Sequence, residues 1–170
     1  MIKPGFAIIT ISDRSSKGLR EDLSGPKLVE CVTKENWLVE YASIVPDEID
    51  IIVDALKNCL INPKIHIILT TGGTGFAPRD VTPEATKIVI EKNAPGIAEA
   101  LRAESLKLTP HAMLSRGIAG ISGNTLIINL PGSPKAVEEN FIFLKPILQH
   151  AVDLLVGDPN SEAGHTKTIK

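Results

Sequence analysis

The stretch Ile65-His66-Ile67-Ile68-Leu69-Thr70-Thr71-Gly72-Gly73-Thr74-Gly75-Phe76-Ala77-Pro78-Arg79-Asp80-Val81-Thr82-Pro83-Glu84-Ala85-Thr86 decides how this chain folds. Ile65 to Thr70 is a short run of isoleucine and leucine, the pattern of a buried strand. Three glycines interleaved with threonines follow, then a lone carboxylate, Asp80. Thr82-Pro83-Glu84 reads as a helix start, with Thr82 as the cap and Pro83 in the first turn. Strand, glycine-rich loop and helix start together make an anion cradle. Glycine lets backbone N–H groups approach a ligand, and a helix start adds free N–H groups and a positive dipole end. The alternative is a plain strand–helix connection that needs glycine for its turn.

The same alternation extends outward. Phe6 to Ile11 and Trp37 to Ile44 read as strands. Ser24-Gly25-Pro26 caps a helix over residues 27–35, and a further helix runs from Glu48 to about Leu60. After the central loop, a helix continues to about Asn93, Pro95-Gly96 breaks it, and another covers Ile97 to Leu106. Ile118 to Ile121 and Thr125 to Leu130 flank Ser122-Gly123-Asn124 as a hairpin. Pro131-Gly132-Ser133-Pro134 leads into a helix to about Leu144, and Pro146 to Val156 forms a final helix. This order predicts a three-layer α/β/α sandwich with a mostly parallel sheet plus an antiparallel hairpin. Residues 1–156 are expected to form one domain, and 157–170 a polar, frayed tail.

Composition narrows the function. The chain has 170 residues, 43% of them hydrophobic, enough for one real core. Its net charge of -2 argues against a protein built to hold nucleic acid or an anionic membrane. No apolar run is long enough to span a bilayer, and Met1 to Gly5 does not begin a signal peptide. A cytoplasmic protein is expected. Cys31 and Cys59 lie among apolar neighbours with no CxxC spacing, so buried reduced thiols are expected rather than a zinc site. The four histidines show no metal-ligand spacing.

Three strand ends carry unusual loops: Ser12-Asp13 onward, Thr70 to Asp80, and Asn129 to Ser133. Ligands in open α/β sheets sit beyond such ends, so the three loops suggest one site. The central loop is neither a Walker loop nor a dinucleotide fingerprint. No Gly-Lys-Ser/Thr follows Gly75, and the third glycine of the fingerprint is missing. Asp80, beside the helix start, is a candidate Mg²⁺ ligand or simply a well-placed surface carboxylate. Asp47-Glu48-Ile49-Asp50 has the pattern of a helix start, with Asp47 as its N-cap. Ser133 caps a helix in the same way, and Gly132 leaves room for a ligand. The loop Arg14-Ser15-Ser16-Lys17-Gly18 is polar and mobile-looking, with basic residues able to close over phosphate. Ser115-Arg116 offers a hydroxyl and a guanidinium.

These pieces together resemble the molybdopterin-binding (MoaB/MogA-like) family. The resemblance rests on Thr70 to Gly75, Arg79 to Thr86, Ile11-Ser12-Asp13, Val45-Pro46-Asp47-Glu48, Ser115-Arg116 and Asn129 to Ser133. It covers residues 6 to 156. Gly75-Phe76-Ala77-Pro78-Arg79-Asp80 is most similar to the G domains of gephyrin and its plant counterpart. The chain is too short for their molybdenum-insertion domain, so a free-standing molybdopterin adenylyltransferase is expected. The resemblance implies adenylylation of molybdopterin by Mg-ATP, giving adenylyl-molybdopterin and pyrophosphate. It assigns Asp47 and Asp80, as catalytic and metal-binding residues, to Mg²⁺ and phosphate positioning. Thr71 and the Gly72-Gly73-Thr74-Gly75 loop would cradle phosphate. Ser12, Asp13 and Ser115 would line the pterin side, and Pro131, Gly132 and Ser133 the nucleotide or phosphate side. It further implies a homotrimer and a molybdenum-insertion protein as partner. The competing readings are a non-catalytic molybdopterin-binding or scaffold protein of the MoaB type, and a different pyrophosphatase or nucleotide activity.

Overall fold

In the computed structural model, residues 2–159 are described. The order is β1 (Gly5–Ile11), α1 (Asp13–Ser16), α2 (Ser24–Lys34), β2 (Leu38–Val45), α3 (Ile49–Leu60), β3 (Ile67–Thr71) and α4 (Thr82–Val89). Then come β4 (Lys92–Asn93), α5 (Pro95–Leu106), a 3₁₀ turn (Pro110–Leu114), β5 (Ala119–Ser122), β6 (Thr125–Leu130) and α6 (Pro134–Leu155). One six-stranded sheet runs β2-β1-β3-β6-β5-β4. β2, β1, β3 and β6 are parallel, and β5 and β4 add the antiparallel edge.

Alternation along β1 explains the layers. Phe6 and Ile8 face one core with Leu28 of α2, Leu101 of α5 and Phe141 of α6. Ala7, Ile9 and Ile11 face the other, with Ile52 and Leu56 of α3 and Ala85 of α4. A parallel sheet covered on both faces needs such uninterrupted apolar runs. β2 lies at the sheet edge and is half exposed, which accounts for its mixed pattern.

The layout positions a site. The helix after β1, α2, packs on one face, and the helix after β3, α4, packs on the other. β1 and β3 are neighbours, so the chain leaves them in opposite directions. A crevice opens at their carboxyl ends, where open α/β sheets bind ligands.

Several local expectations need correction. Pro146 does not divide two helices; it lies inside the single α6. Its ring is on the exposed side, while Val137, Phe141, Leu144, Leu148 and Val152 keep one buried stripe through it. Burial of that stripe outweighs the lost backbone hydrogen bond. Pro95-Gly96 does not end a helix but begins α5, with α4 stopping at Val89 and β4 between them. The supposedly mobile loop after Ile11 folds into α1, where Ser12 Oγ accepts the Ser15 N–H at 3.2 Å. Ser24 does not supply the cap acceptor of α2; Asp22 Oδ1 accepts the N–H groups of Ser24 and Gly25 at 3.0 and 3.1 Å. Residues 160–170 of the expected tail lie outside the described residues.

Both thiols are free and buried. Burial pushes the Cys59 thiol up to about 11 and raises that of Cys31. Since thiolate is the reactive form, the native protein at pH 8 should react very slowly with Ellman's reagent. Two equivalents should react once guanidinium unfolds it. Fast native labelling would contradict this burial.

Candidate functional site

Register brings four loops to one edge. Ile11 pairs with Val45, Thr10 with Thr71, and Thr71 with Leu130. The segments that follow each strand therefore emerge side by side and enclose a cleft of about 530 Å³. Ser12, Asp13, Asp47, Thr71, the Gly72-Gly73-Thr74-Gly75 loop, Asp80, Ser115 and the Pro131-Gly132-Ser133 turn all border it. Its volume suits a small-molecule ligand. A second cavity of about 200 Å³, between α5 and α6, shares His111, Ser115 and Pro131 as walls.

The glycine loop depends on two backbone conformations. Gly72 (φ 99°) and Gly73 (φ 62°) lie in the left-handed region. A Cβ on Gly72 would fall 2.3 Å from the Ile11 carbonyl oxygen. On Gly73 it would fall 2.3 Å from Thr82 Oγ1 and 3.0 Å from Asp47 Oδ1. Thr82 is not a cap, as the sequence suggested. Its hydroxyl donates to the Gly72 carbonyl at 2.9 Å, and its N–H to the Gly73 carbonyl at 3.1 Å. The start of α4 is thereby tied to the end of β3. Among the described residues, the N–H groups of Gly73, Thr74, Gly75, Gly132 and Ser133 donate to no protein acceptor, nor does the Thr74 hydroxyl. Free N–H groups grouped in this way are able to hold an anion.

The carboxylates divide into engaged and available groups. Asp47 does not cap α3; Glu48 occupies that position without a side-chain bond. Asp47 Oδ2 instead accepts the Asp13 N–H at 2.7 Å, and Asp13 Oδ1 accepts the Asp47 N–H at 3.2 Å. Asp80 Oδ2 accepts the Ala77 N–H at 3.0 Å. Among the described residues, Asp47 and Asp80 thus each keep Oδ1 free of protein donors. Burial pushes the Asp47 carboxyl above its ordinary value; the Asp13 N–H opposes this, and the charges of Asp13 and Asp80 add to it. Asp13 is the reverse case. Arg79 Nε and Nη2 donate to both its oxygens at 2.9 and 3.1 Å and hold it below its ordinary value. Asp13 borders the cleft but its carboxylate is already spoken for.

Other side chains brace the walls. The Thr71 hydroxyl donates to the Pro131 carbonyl at 2.7 Å, and Ser133 Oγ accepts the Ala136 N–H at 3.4 Å as the cap of α6. Ser115 Oγ accepts the Gly117 N–H at 3.4 Å. Arg116 donates to the Gly75 carbonyl at 2.8 Å and the Asp80 carbonyl at 2.6 Å, and pairs with Glu84. It is a brace under the loop and does not line the cleft. Sequence reasoning passed over Thr10, Arg20, Asp22, His111 and Leu114, which also line it. Asp22, two residues before Ser24-Gly25, carried an Asx-turn signal that could have found it. His111 and Leu114 sit on a 3₁₀ turn that no periodicity announces. Arg14 and Arg20 line the cleft and form no ion pair among the described residues.

Residues 7–150 match the family described as "Probable molybdopterin binding domain". The chain belongs to the molybdopterin-binding domain family. It is 49% identical over 155 residues to the Drosophila melanogaster molybdenum cofactor synthesis protein cinnamon, covering 90% of this chain and 26% of that one. It thus spans about a quarter of that relative's length. A Helicobacter pylori molybdopterin adenylyltransferase is 44% identical over 155 residues, covering 90% of this chain and 88% of that enzyme. The solved structure of the molybdopterin biosynthesis enzyme MoaB from Thermus thermophilus superposes with a TM-score of 0.84 at 42% identity. That match covers 91% of this chain and 97% of the other. Among the described residues, no helix is long and apolar enough to cross a membrane.

Two outcomes follow for this site. Gly73→Ala should cost about 1–3 kcal/mol, seen as a lower midpoint in urea, because an L side chain is strained there and strikes Thr82. Asp47→Asn in metal-free buffer should melt at or above the wild-type temperature at pH 7. The native carboxyl holds its proton above the ordinary value of 3.8, so its ionisation costs the native state at neutral pH. The advantage of the variant should shrink as pH falls toward 4. A lower melting temperature at pH 7 would show that the charge is stabilising.

Proposed function

We propose that this chain is a molybdopterin adenylyltransferase acting in molybdenum cofactor biosynthesis, with Mg-ATP and molybdopterin as substrates. The single observation that supports this best is the pairing of two half-free carboxylates with unpaired N–H loops at one sheet edge. That inventory suits phosphoryl-type transfer, which needs charge neutralisation and alignment rather than a protein nucleophile. A terminal phosphate oxygen of molybdopterin attacks the α-phosphorus of ATP. The bond from that phosphorus to the bridging oxygen breaks, and pyrophosphate leaves.

The residues present fit a magnesium ion. Asp47 and Asp80 each offer one hard oxygen, and the charge of Asp80 adds to the upward push on the Asp47 carboxyl. Among the described residues, no group of three or more His, Cys, Asp or Glu forms a metal cage. The rest of the shell would be substrate oxygens and water, as is usual for Mg²⁺. When bound, the ion neutralises charge on the polyphosphate. The loops at Gly73 to Gly75 and Gly132 to Ser133 hold phosphate oxygens through N–H groups. Arg14 and Arg20 supply cationic contacts in place of the absent Walker lysine. Ser12 and Ser115 lie on the pterin side, with the engaged Asp13 shaping the wall. A cytoplasmic homotrimer working with a molybdenum-insertion protein completes this reading.

The purified protein incubated with Mg-ATP and molybdopterin should release adenylyl-molybdopterin and pyrophosphate in equal amounts. Asp80→Asn should lower turnover by about 10²–10³-fold with little change in melting temperature. Tight molybdopterin binding without any product would overturn the enzymatic reading in favour of a non-catalytic carrier.

A further inference from the structure

A ligand-facing carboxylate is only as well placed as the groups behind it. Behind Asp47 runs a continuous chain of hydrogen bonds. Asp13 and Asp47 exchange backbone-to-carboxylate bonds at 2.7 and 3.2 Å. Arg79 forks across both Asp13 oxygens, and its Nη2 also reaches Glu48 Oε1 at 2.6 Å. The loops after β1, β2 and β3 are thus joined through one guanidinium. Arg79 immediately precedes Asp80, and the Asp80 carboxylate closes back on Ala77 within the same short turn.

Arg79 does not line the main cleft. It lines a separate shallow depression with Glu48, Ile49 and Val81, and Asp47 is a wall of both. Its contacts with the walls of the site run through Asp13 and Glu48. A planar fork spans two carboxylate oxygens in a fixed geometry while still reaching a second carboxylate; an ammonium makes point contacts that do not fix that geometry. Half-exposed ion pairs of this kind add little to global stability. Their effect here is geometric.

We propose that Arg79 is a positioning residue: by gripping Asp13 and Glu48 it locks the loops bearing Asp47 and Asp80 into one frame, so that both carboxylates engage a divalent cation together. This rests on the reading of the cleft as a metal–nucleotide site. A positioning role and a simple charge role differ in sign. Removing a nearby positive charge by itself tightens cation binding. Removing a positioning group loosens it.

The test is Mn²⁺ titration of the whole protein in the presence of α,β-methylene-ATP, with free Mn²⁺ read by electron paramagnetic resonance. Arg79→Ala should weaken Mn²⁺ binding by about 10-fold or more, the size typical of a lost supporting group. Arg79→Lys, which keeps the charge and loses the fork, should also bind more weakly than wild type. It carries the test if Arg79→Ala does not fold. Adding Asp13→Asn to Arg79→Ala should cost little more than Arg79→Ala alone, because the two act as one unit. Equal or tighter Mn²⁺ binding by Arg79→Ala and Arg79→Lys would overturn the proposal. No Mn²⁺ binding by the wild type, with the nucleotide still bound, would instead overturn the metal-site reading beneath it.

Discussion

Two successive glycines in the left-handed region, Gly72 and Gly73, allow the chain leaving β3 to pass closer to Ile11 than any Cβ permits. That close passage lets Thr82 bond both glycine carbonyls and seat α4 beside the strand end. The intervening loop is therefore closed at its base, and Asp80 is carried over the cleft at a defined place. On the other side, Gly73 has Asp47 as its neighbour. With a side chain at Gly73, neither α4 nor Asp47 could keep its position. The walls from β1 and β6 depend on the same turn, since Gly72 donates its N–H to Leu130.

The charges around this turn are arranged with little redundancy. Arg116 directs its guanidinium at the carbonyls of Gly75 and Asp80, so it holds the loop from below and is not available to a ligand. Asp13 is neutralised by Arg79. Asp22 caps α2 and accepts the Thr10 hydroxyl at 2.7 Å. Also bordering the cleft are a pair of half-free carboxylates, a set of N–H groups and two arginines that form no ion pair among the described residues. A half-buried carboxylate such as Asp47 is disfavoured in its charged form when alone and is favoured beside a cation. That balance of groups is what the proposed metal–nucleotide reading draws on.

The layered fold was legible because its signals are local. β1 and β3 read as buried strands from their isoleucine and leucine runs, and the long connections between them required parallel pairing. The glycine loop was legible because few other tasks need three glycines in four positions. The partners of individual side chains were not. Asp47 looked like a helix cap, since Asp47-Glu48-Ile49-Asp50 has that local pattern. Its actual partner, the Asp13 N–H, lies 34 residues away. Thr82 looked like a helix cap, and Pro146 like the start of a separate helix. In each case a contact distant in sequence overrode a sound local preference.

By itself, the sequence determined the strand and helix order, the sheet's parallel character and which loops border the cleft. Hydrophobic periodicity, glycine and proline act within a few residues of where they stand, so these features need no knowledge of the fold. The kind of ligand came from the whole set of motifs matching a family, since loop physics alone implied only an anion. Tertiary structure decided which polar groups are available and which are engaged. Among the described residues, Asp80 keeps a free oxygen while Asp13 does not, and Arg79 braces while Arg14 and Arg20 form no ion pair. Those outcomes depend on loops from four strands meeting at one edge, and the strand register that brings them together is a property of the assembled sheet.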